Sequence, residues 1–186
     1  QSILYSSPYS RYVFGEGIIP MGGNYTVKGS LSDPSRLLGQ LLITEMIKQG
    51  IAWKGVLRIV GANEAESVQQ GFVVLVENSS PTIREIASYT NLVSNNLYAE
   101  CLLKEISYRK MGVGVTEIGT NLVKRYVKSN GVDTIGMVLR DGSGMSPFNC
   151  ITPNQFTLFL SKQYSNKVFV STIPVAGLDG TVSHIC

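Results

Sequence analysis

The sequence predicts a helix-rich α/β fold in which short strands form only a small part of the chain. Five segments combine helical spacing of apolar residues with a capping residue or a stop signal, whereas only three short runs are rich in strand-forming residues. Of the 186 residues, 44% are hydrophobic and 16% are charged, which is typical of a globular protein. This length fits one compact domain, or one such domain with part of another.

The first predicted helix follows a segment of irregular structure. Residues 1–30 are rich in glycine, tyrosine and serine, which predicts short strands and turns. A helix is then predicted over 34–49, since Asp33 is suited to cap its start and Gly50 to end it. Its apolar residues recur at intervals of three and four, which predicts one buried face. That face consists of Leu38, Leu41, Leu42 and Met46.

Two short strands and two further helices are predicted next. The runs 56–60 and 72–76 are rich in β-branched residues and bounded by turn-forming residues, so both are predicted as strands. Ser80, which is followed by proline, is predicted to open a second helix, and a third is predicted from near Ser94 to about Lys110. The residues expected to face inward from the third helix are Tyr98, Cys101, Leu102 and Ile106.

The last part of the chain is predicted to add two helices, a strand and a turn. The fourth helix is predicted from Thr116 to Asn130, where an Asn-Gly pair provides a stop. The fifth begins at Thr152, which precedes a proline and starts a Thr-x-x-Gln capping box. Between them, a strand over 137–140 leads into 141–144, whose sequence Asp-Gly-Ser-Gly is typical of a turn.

Charge and hydropathy exclude several classes of function. The formal net charge is +3, but lysine and arginine are scattered rather than collected into a basic face with a nucleic-acid-binding motif. No run approaches the roughly 20 continuous apolar residues of a membrane span, and the first residues lack the features of a signal peptide. Because the chain starts without methionine and ends on an apolar-flanked cysteine, we expect it to be part of a longer protein.

Histidine and cysteine usage removes most histidine-based and zinc-based chemistry. His184 is the only histidine, so a Ser-His-Asp triad is possible only if this residue serves in it. Cys101, Cys150 and Cys186 lack the close pair spacing of zinc sites. Cys101 lies in an apolar run, which predicts a position in the core.

The main candidate for chemistry is the triplet Ser94-Asn95-Asn96. A Ser-x-Asn triplet alone is common, and a serine before a helix usually caps it. Residues 94–100, Ser-Asn-Asn-Leu-Tyr-Ala-Glu, nevertheless closely resemble the second active-site motif of the class C, or low-molecular-mass, penicillin-binding proteins. That family comprises D-alanyl-D-alanine carboxypeptidases and endopeptidases.

Further blocks resemble this family in order and spacing. Upstream of the triplet, Ser-Asp-Pro occurs at 32–34 ahead of the leucine-rich helix, and Ser-Pro-Thr-Ile-Arg-Glu-Ile occurs at 80–86. Downstream, Arg-Asp-Gly-Ser-Gly-Met-Ser occurs at 140–146, and Ile-Pro-Val-Ala-Gly-Leu-Asp-Gly-Thr occurs at 173–181. The resemblance covers roughly residues 15–186, and several ordered matches are far more specific than one triplet.

The resemblance implies an incomplete α/β transpeptidase domain of the penicillin-binding-protein and serine β-lactamase fold. Residues 1–30 would return from an inserted domain, and 31–186 would form the helix-rich part of the transpeptidase domain. The implied enzyme cleaves the terminal D-alanine from peptidoglycan stem peptides through an acyl-serine intermediate, binds β-lactam antibiotics and lies outside the cytoplasmic membrane, in the periplasm or an equivalent space. It would use no metal, no organic cofactor and no nucleic acid.

The same resemblance implies catalytic roles for Ser94 and Asn96. The Ser94 hydroxyl would pass a proton between the lysine of a Ser-x-x-Lys motif and the departing D-alanine amine. The Asn96 amide, which can both donate and accept, would hydrogen-bond to the substrate peptide group and to that lysine. Asp141 and Asp179 lie in glycine-rich turns and are expected to bond their own backbone instead.

Three departures from the family pattern limit these implications. No Ser-x-x-Lys precedes Ser94, the sequence contains no Lys-Thr-Gly, and Pro147 stands where many relatives have arginine. Ser107-Tyr108-Arg109-Lys110 fits the first motif but follows the triplet, in the wrong order. We therefore expect this polypeptide alone to be inactive. Two alternatives stay open: a non-catalytic peptidoglycan-binding relative, and an unrelated helical interaction module in which Ser94 only caps a helix.

Overall fold

A computed structural model describes residues 2–60, 73–74 and 76–185, and it divides the chain into two compact units. The first unit is Gln1–Val76 and the second is Glu77–Cys186. The boundary predicted near residue 30 concerned the origin of the first segment within a larger protein. The two units, which divide after Val76, do not test whether residues 1–30 return from an inserted domain, so that assignment stays a prediction.

The described residues of the first unit form a two-stranded sheet and a helix. Strand β1 (Ser2–Tyr5) pairs antiparallel with β2 (Phe14–Gly17), and the rings of Tyr5 and Phe14 stack with their centroids 5.8 Å apart. Helix α1 (Pro34–Lys48) begins as predicted, because the Asp33 carboxylate accepts a hydrogen bond of 3.0 Å from the Arg36 backbone N–H.

The predicted buried face of α1 is wrong for three of its four residues. Leu38, Leu41 and Leu42 are exposed, and Leu38 keeps 71% of its surface accessible. The half-buried residues instead lie on the side of the helix that carries Gly39. A Cβ atom at Gly39 would lie 2.5 Å from a methyl carbon of Leu57. The half-buried residues are Arg36, Leu37, Gly39, Ile43 and Met46. Periodicity located the helix, but the side that Leu57 contacts is not the one that the apolar pattern indicates.

The strands predicted over 56–60 and 72–76 are absent from the described residues. Residues 56–60 have no regular secondary structure, and the same holds for Val73, Val74 and Val76. Phe72 and Leu75 lie outside the described part of the chain. A β-branched run becomes a strand only where a neighbouring strand pairs with it, and the described residues provide no partner for these runs.

The second unit is built from helices in the order that the sequence predicts. Its elements are α2 (Ile83–Val93), α3 (Asn96–Met111), α4 (Thr116–Ser129), α5 (Pro153–Gln163), the short α6 (Lys167–Val170) and a 3-10 turn at Gly180–Val182. The predicted helix-rich architecture with short strands is therefore confirmed. No helix among the residues that the structure describes combines the length and apolar character needed to cross a bilayer.

Two capping boxes fix helix starts in this unit. Thr152 and Gln155 exchange the hydrogen bonds predicted for α5, and Gln155 also donates from its amide to the carbonyl oxygens of Asp133 and Ile135, both at 2.9 Å. Thr82 caps α2 in the same way, two residues after the predicted start at Ser80. The Gln155 side chain thereby ties α5 to the segment that follows α4.

The apolar core lies between α4, α5 and the segment that joins them. Val127, Val132 and Met137 are buried, and Val123, Leu139 and Phe159 pack against them. The strand predicted over 137–140 is reduced to one antiparallel bridge, in which Val138 and Cys150 exchange backbone hydrogen bonds of 2.8 Å. This bridge closes the loop that contains the predicted Asp-Gly-Ser-Gly turn.

Helix α3 buries a different face from the one that its apolar residues predict. Leu103 and Ser107 are buried. Of the four residues predicted to face inward, Leu102 is half-buried, whereas Tyr98, Cys101 and Ile106 are exposed. The prediction of a core position for Cys101 is therefore wrong. The apolar pattern does not indicate the buried face because that face includes the polar Ser107. The Ser107 hydroxyl donates to the Val113 carbonyl and accepts from the Val115 N–H at 3.1 Å, which ties α3 to the segment that leads into α4.

Candidate active site

The predicted site lies in the two-residue connection between α2 and α3. Helix α2 ends at Val93, Ser94 adopts a left-handed backbone conformation with φ 54° and ψ 51°, and Asn96 is the first residue of α3. Asn95 is the helix cap, because its side-chain oxygen accepts a hydrogen bond of 3.0 Å from the Tyr98 N–H. Ser94 is instead the C-terminal cap of α2, so the prediction that it caps the start of α3 is wrong.

The left-handed conformation of Ser94 is unusual for a residue with a side chain. Among the described residues, only Ser94 and Tyr9 combine a side chain with positive φ. Such a conformation costs about 1–2 kcal/mol and is often found at functional sites, where the surroundings enforce it. Here the enforcing contacts include the Asn95 N–H, which donates to the Thr90 carbonyl at 3.0 Å.

Both predicted catalytic side chains are available to a ligand. Ser94 and Asn96 are exposed, and neither side chain hydrogen-bonds to another residue of the described chain. The short connection between the two helices thus presents a hydroxyl and an amide that have no hydrogen-bond partner in the part of the chain that the structure describes. Hydrogen-bonding groups of this kind can transfer a proton or orient a peptide group.

Three glycines allow backbone segments to approach the two helices that flank the triplet. A Cβ atom at Gly142 would lie 2.6 Å from the Ala99 carbonyl oxygen of α3. One at Gly180 would overlap the Leu92 carbonyl oxygen near the end of α2. A Cβ atom at Gly119 of α4 would lie 2.6 Å from the Leu103 carbonyl oxygen. Both helices that carry the triplet are therefore held by close backbone contacts.

The segment around Gly180 is also fixed to α2 by a hydrogen bond. The Asn91 amide donates to the Thr172 carbonyl at 2.9 Å, across 81 residues of sequence. Asp179 accepts a bond of 3.3 Å from the Val175 N–H within its own turn, as expected. These contacts place residues 172–180 against the end of α2, the helix that Ser94 directly follows.

Glu100 joins α3 to the Asp-Gly-Ser-Gly turn. One of its carboxylate oxygens accepts from the Gly142 N–H at 3.0 Å, from the Ser143 N–H at 3.0 Å and from the Ser143 hydroxyl at 2.8 Å. The sequence contains this glutamate as the end of the Ser-Asn-Asn-Leu-Tyr-Ala-Glu string, but nothing in its spacing predicts the contact across 42 residues.

The turn is closed from within by Asp141, as expected from its sequence. The Asp141 carboxylate accepts from the Gly144 N–H at 2.9 Å, from the Ser146 N–H at 2.5 Å and from the Asn149 amide at 2.8 Å. Burial raises the pKa of Asp141, but these hydrogen bonds favour the charged form and outweigh it, so the pKa lies below its ordinary value.

We expect the stability that Asp141 provides to be lost in acid. Because the folded-state pKa is lowered, the contribution is complete above the unfolded-state pKa of about 3.9 and disappears as the pH falls below it. The urea midpoint of Asp141→Asn should therefore lie below that of the unsubstituted chain by a constant amount from pH 7 to about 5, and the difference should shrink below about pH 4. A difference that stays constant to pH 3 would show that the carboxylate charge is not what the turn binds.

An open apolar cavity of about 430 Å³ lies beside the site. It is bordered by α2, α3, α4 and residues 139–151, with Leu102, Ile106 and Asp141 among its lining residues. Of the α3 residues that line it, Ala99 and Leu102 are half-buried, Leu103 is buried and Ile106 is exposed. Ser94 and Asn96 are not among the residues that line it, so the described residues alone do not close a cleft around the triplet.

Metal-binding side chains are not grouped in the described part of the chain. No set of three or more histidine, cysteine, aspartate or glutamate side chains is arranged there to hold an ion. Cys101 and Cys150 are unpaired and exposed, and His184 is exposed. Cys186 lies outside the described residues.

Comparisons with known proteins agree with the sequence motifs. The sequence model of the D-Ala-D-Ala carboxypeptidase 3 (S13) family matches residues 11–185. The D-alanyl-D-alanine carboxypeptidase of Actinomadura sp. (strain R39) is 31% identical over 155 residues, which are 82% of this chain and 28% of that protein. The penicillin-sensitive carboxypeptidase A of Dictyostelium discoideum is 32% identical over 110 residues, 56% of this chain and 21% of its own length. The chain thus spans under a third of these two relatives.

Solved structures show the same relationship at the level of the fold. Penicillin-binding protein 4 (dacB) of Haemophilus influenzae matches with a TM-score of 0.51 and 27% identity, over 54% of this chain and 23% of that one. The same protein complexed with a β-lactam matches with a TM-score of 0.50, over 54% and 24%. The predicted partial penicillin-binding-protein fold is thereby confirmed.

Proposed function

This chain belongs to the D-Ala-D-Ala carboxypeptidase 3 (S13) family of low-molecular-mass penicillin-binding proteins, and from that membership we propose that the protein containing it is a serine-type carboxypeptidase. Its substrates are peptidoglycan stem peptides, from which it releases the terminal D-alanine outside the cytoplasmic membrane, and β-lactam antibiotics acylate the same serine. Family membership also overturns the alternative of an unrelated helical interaction module. A non-catalytic relative that only binds peptidoglycan is the remaining second candidate.

One observation above all supports this proposal. In a chain of this family, Ser94 of the Ser-x-Asn triplet has a left-handed backbone, and the exposed Ser94 hydroxyl and Asn96 amide have no hydrogen-bond partner among the described residues. A turn that served only to connect two helices would more easily place glycine at the left-handed position. A serine in this conformation, which glycine would adopt at lower cost, suits a position where a hydroxyl is needed.

The proposed reaction divides the peptide cleavage into two steps. A serine nucleophile, activated by a lysine, attacks the carbonyl carbon of the penultimate D-alanine, and an acyl-serine ester forms as the peptide bond breaks. Ser94 passes the proton from the lysine to the departing amine, and Asn96 hydrogen-bonds to the substrate peptide group. Water then hydrolyses the ester, which releases the shortened peptide and restores the serine.

The nucleophile of this reaction is proposed to come from outside these 186 residues. Ser107, which begins the sole Ser-x-x-Lys string of the sequence, is fully buried, and its hydroxyl is bonded to Val113 and Val115. It therefore cannot reach a substrate without opening the α3–α4 connection. We expect the 186-residue polypeptide to show no covalent label after incubation with fluorescent penicillin. A labelled serine in it would place the nucleophile within this chain.

The test of function uses the complete product of the gene. It should be labelled by fluorescent penicillin and release D-alanine from a stem-peptide analogue ending in D-Ala-D-Ala. Ser94→Ala and Asn96→Ala should each lower the acylation rate by at least about 100-fold, the lower end of what general acid–base groups contribute. Ser161→Ala and Asn121→Ala, at exposed helix positions of the same unit, serve as controls and should react normally.

Two results would contradict the proposal in different ways. If the unsubstituted protein neither binds penicillin covalently nor releases D-alanine, but does bind peptidoglycan, the non-catalytic alternative is correct. If the unsubstituted protein is active and Ser94→Ala keeps full activity, the assignment of the triplet is wrong while the family reaction stands.

A further inference from the structure

We propose that Glu100 is a positioning residue for the Ser94–Asn96 site, because its carboxylate fastens the 141–144 turn to the helix that begins with Asn96. This inference rests on the proposed function for the meaning of the site, although the contact itself can be tested without catalysis. The glutamate touches neither residue of the triplet directly. It acts through the orientation of α3 relative to the turn.

The contact is dense for a single side chain. One Glu100 oxygen receives three hydrogen bonds, two from consecutive backbone N–H groups, at Gly142 and Ser143, and one from the Ser143 hydroxyl. Consecutive N–H groups that converge on one oxygen form a small anion-binding concavity. Bonds of this kind to a charged acceptor are stronger than those to a neutral one. The turn thus binds the glutamate much as it would bind a small anion.

Helical geometry connects this contact to the triplet. Glu100 follows Asn96 by four residues in α3, so the two side chains share a face of the helix, one turn apart. Ala99, on the adjacent position, meets Gly142 so closely that a Cβ atom there would lie 2.6 Å from the Ala99 carbonyl oxygen. Rotation or sliding of α3 that moved Asn96 would therefore break the Glu100 bonds or press α3 against the turn.

The 141–144 turn is held rigid by hydrogen bonds of its own. Asp141 closes it through bonds to Gly144, Ser146 and Asn149, and the Asn149 side-chain oxygen accepts from the Arg140 N–H at 2.7 Å. The bridge between Val138 and Cys150 closes its base. A side chain attached to this assembly is held far more firmly than one attached to an open loop.

The two ends of the triplet are thus held by different means. On the α2 side, the backbone of Gly180 lies directly against the Leu92 carbonyl, which is a packing contact without charge. On the α3 side, Glu100 adds a charged contact that a substitution can weaken without changing volume. Glu100→Gln keeps the shape of the side chain and removes its charge, so it separates positioning from packing.

The first arm of the test measures backbone amide hydrogen exchange in the 186-residue chain by NMR. In Glu100→Gln, exchange at Gly142, Ser143 and Asn95 should accelerate about tenfold. Exchange at Val127 in the core should be unchanged. Glu105→Gln, which removes an equal charge from an exposed ion pair with Arg109 on the same helix, is the matched control and should leave the three amides unaffected.

Three outcomes of this arm have distinct meanings. Selective acceleration at the turn and at Asn95 supports the proposal. Acceleration confined to Gly142 and Ser143 overturns it, because the carboxylate would then hold the turn without influencing the triplet. Equal acceleration at all amides, including Val127, also overturns it, since Glu100 would then contribute only to global stability. Ser143→Ala removes one of the three bonds and should give the same selective pattern with a smaller increase in exchange. This variant keeps the proposal testable if Glu100→Gln fails to fold.

The second arm uses the complete gene product and fluorescent penicillin. Glu100→Gln should lower the rate constant of acylation about tenfold at saturating penicillin and leave the half-saturating concentration nearly unchanged, because a displaced Ser94 hurts proton transfer more than binding. Glu105→Gln should react normally. An active protein whose Glu100→Gln variant acylates at the original rate overturns the positioning role. If the unsubstituted protein is not acylated, the proposed function fails, and the exchange arm alone decides whether Glu100 holds the triplet.

Discussion

Gly180→Ala should destabilise the second unit by about 3 kcal/mol, the sum of a left-handed residue that acquires a side chain and a methyl group forced into packed backbone. Gly180 has φ 54°, and an added Cβ atom would overlap the Leu92 carbonyl oxygen and lie 2.9 Å from the Leu92 carbonyl carbon. Backbone cannot turn aside as a flexible side chain can. The 172–180 segment must therefore move away from α2, and the Asn91–Thr172 bond is weakened with it.

Gly177→Ala is the matched control for this substitution. Gly177 also has a left-handed backbone, with φ 80°, but an added Cβ atom would make only an ordinary contact of 3.5 Å with the Ile185 carbonyl oxygen. Alanine there should cost about 1 kcal/mol, the conformational part alone. Urea unfolding of the two variants measures the difference. Equal losses would show that the close approach of Gly180 to Leu92 is not a stabilising feature of the folded chain.

The effect of Gly180→Ala should extend to the proposed site. Leu92 precedes Ser94 by two residues, so displacement of the Gly180 segment removes the support on the α2 side of the turn. In the complete gene product we therefore expect slower acylation by penicillin at temperatures where the variant is still folded. Gly177→Ala should acylate at nearly the original rate once its fold is populated.

Local interactions are the part of the fold that the sequence made predictable. The caps at Asp33 and Thr152 depend on residues three positions apart, and both form as expected. The same holds for Asp141, whose bonds lie within its own turn. Each of these groups needs only its near neighbours to satisfy its hydrogen bonds, so composition and spacing are sufficient to predict them.

The faces of the helices depend on distant residues and were predicted poorly. Leu57 packs against the side of α1 that carries Gly39, and Ser107 of α3 is buried with its hydroxyl bonded to the segment that leads into α4. A hydrophobic pattern ranks Ser107 as exposed because serine is polar, although a serine that bonds to two backbone groups can be fully buried. Periodicity therefore identified the helices but not the surfaces that they bury.

The candidate site shows the same division. The triplet at Ser94 could be identified from its neighbouring blocks, but its left-handed backbone and the cap at Asn95 could not. The contacts that hold it, from Glu100 and Gly180, cross 42 and 88 residues of sequence. Glycine in a motif signals only that a side chain is absent. Which backbone occupies that space becomes visible once the fold is known.

Gly119→Ala should destabilise the α3–α4 pair although it places a better helix former inside α4. Alanine in a helix interior is favoured over glycine by about 1 kcal/mol. At Gly119, however, a Cβ atom would lie 2.6 Å from the Leu103 carbonyl oxygen and 2.9 Å from the branching carbon of its side chain. Separating two packed helices to admit it costs about 1–3 kcal/mol, and the exposure of buried Leu103 adds to that cost.

The net result should be a loss of about 2 kcal/mol, because the packing cost exceeds the gain in helix propensity. Gly114→Ala is the control: it lies just before α4, and its added Cβ atom would make ordinary contacts of 3.6 and 3.7 Å with Lys104. That variant should match the unsubstituted chain within about 0.5 kcal/mol in urea unfolding. A more stable Gly119→Ala would mean that α3 and α4 lie further apart than the close contact at Leu103 requires. The turn at Ser94 would then lack the rigid α3 on which the roles of Asn96 and Glu100 depend.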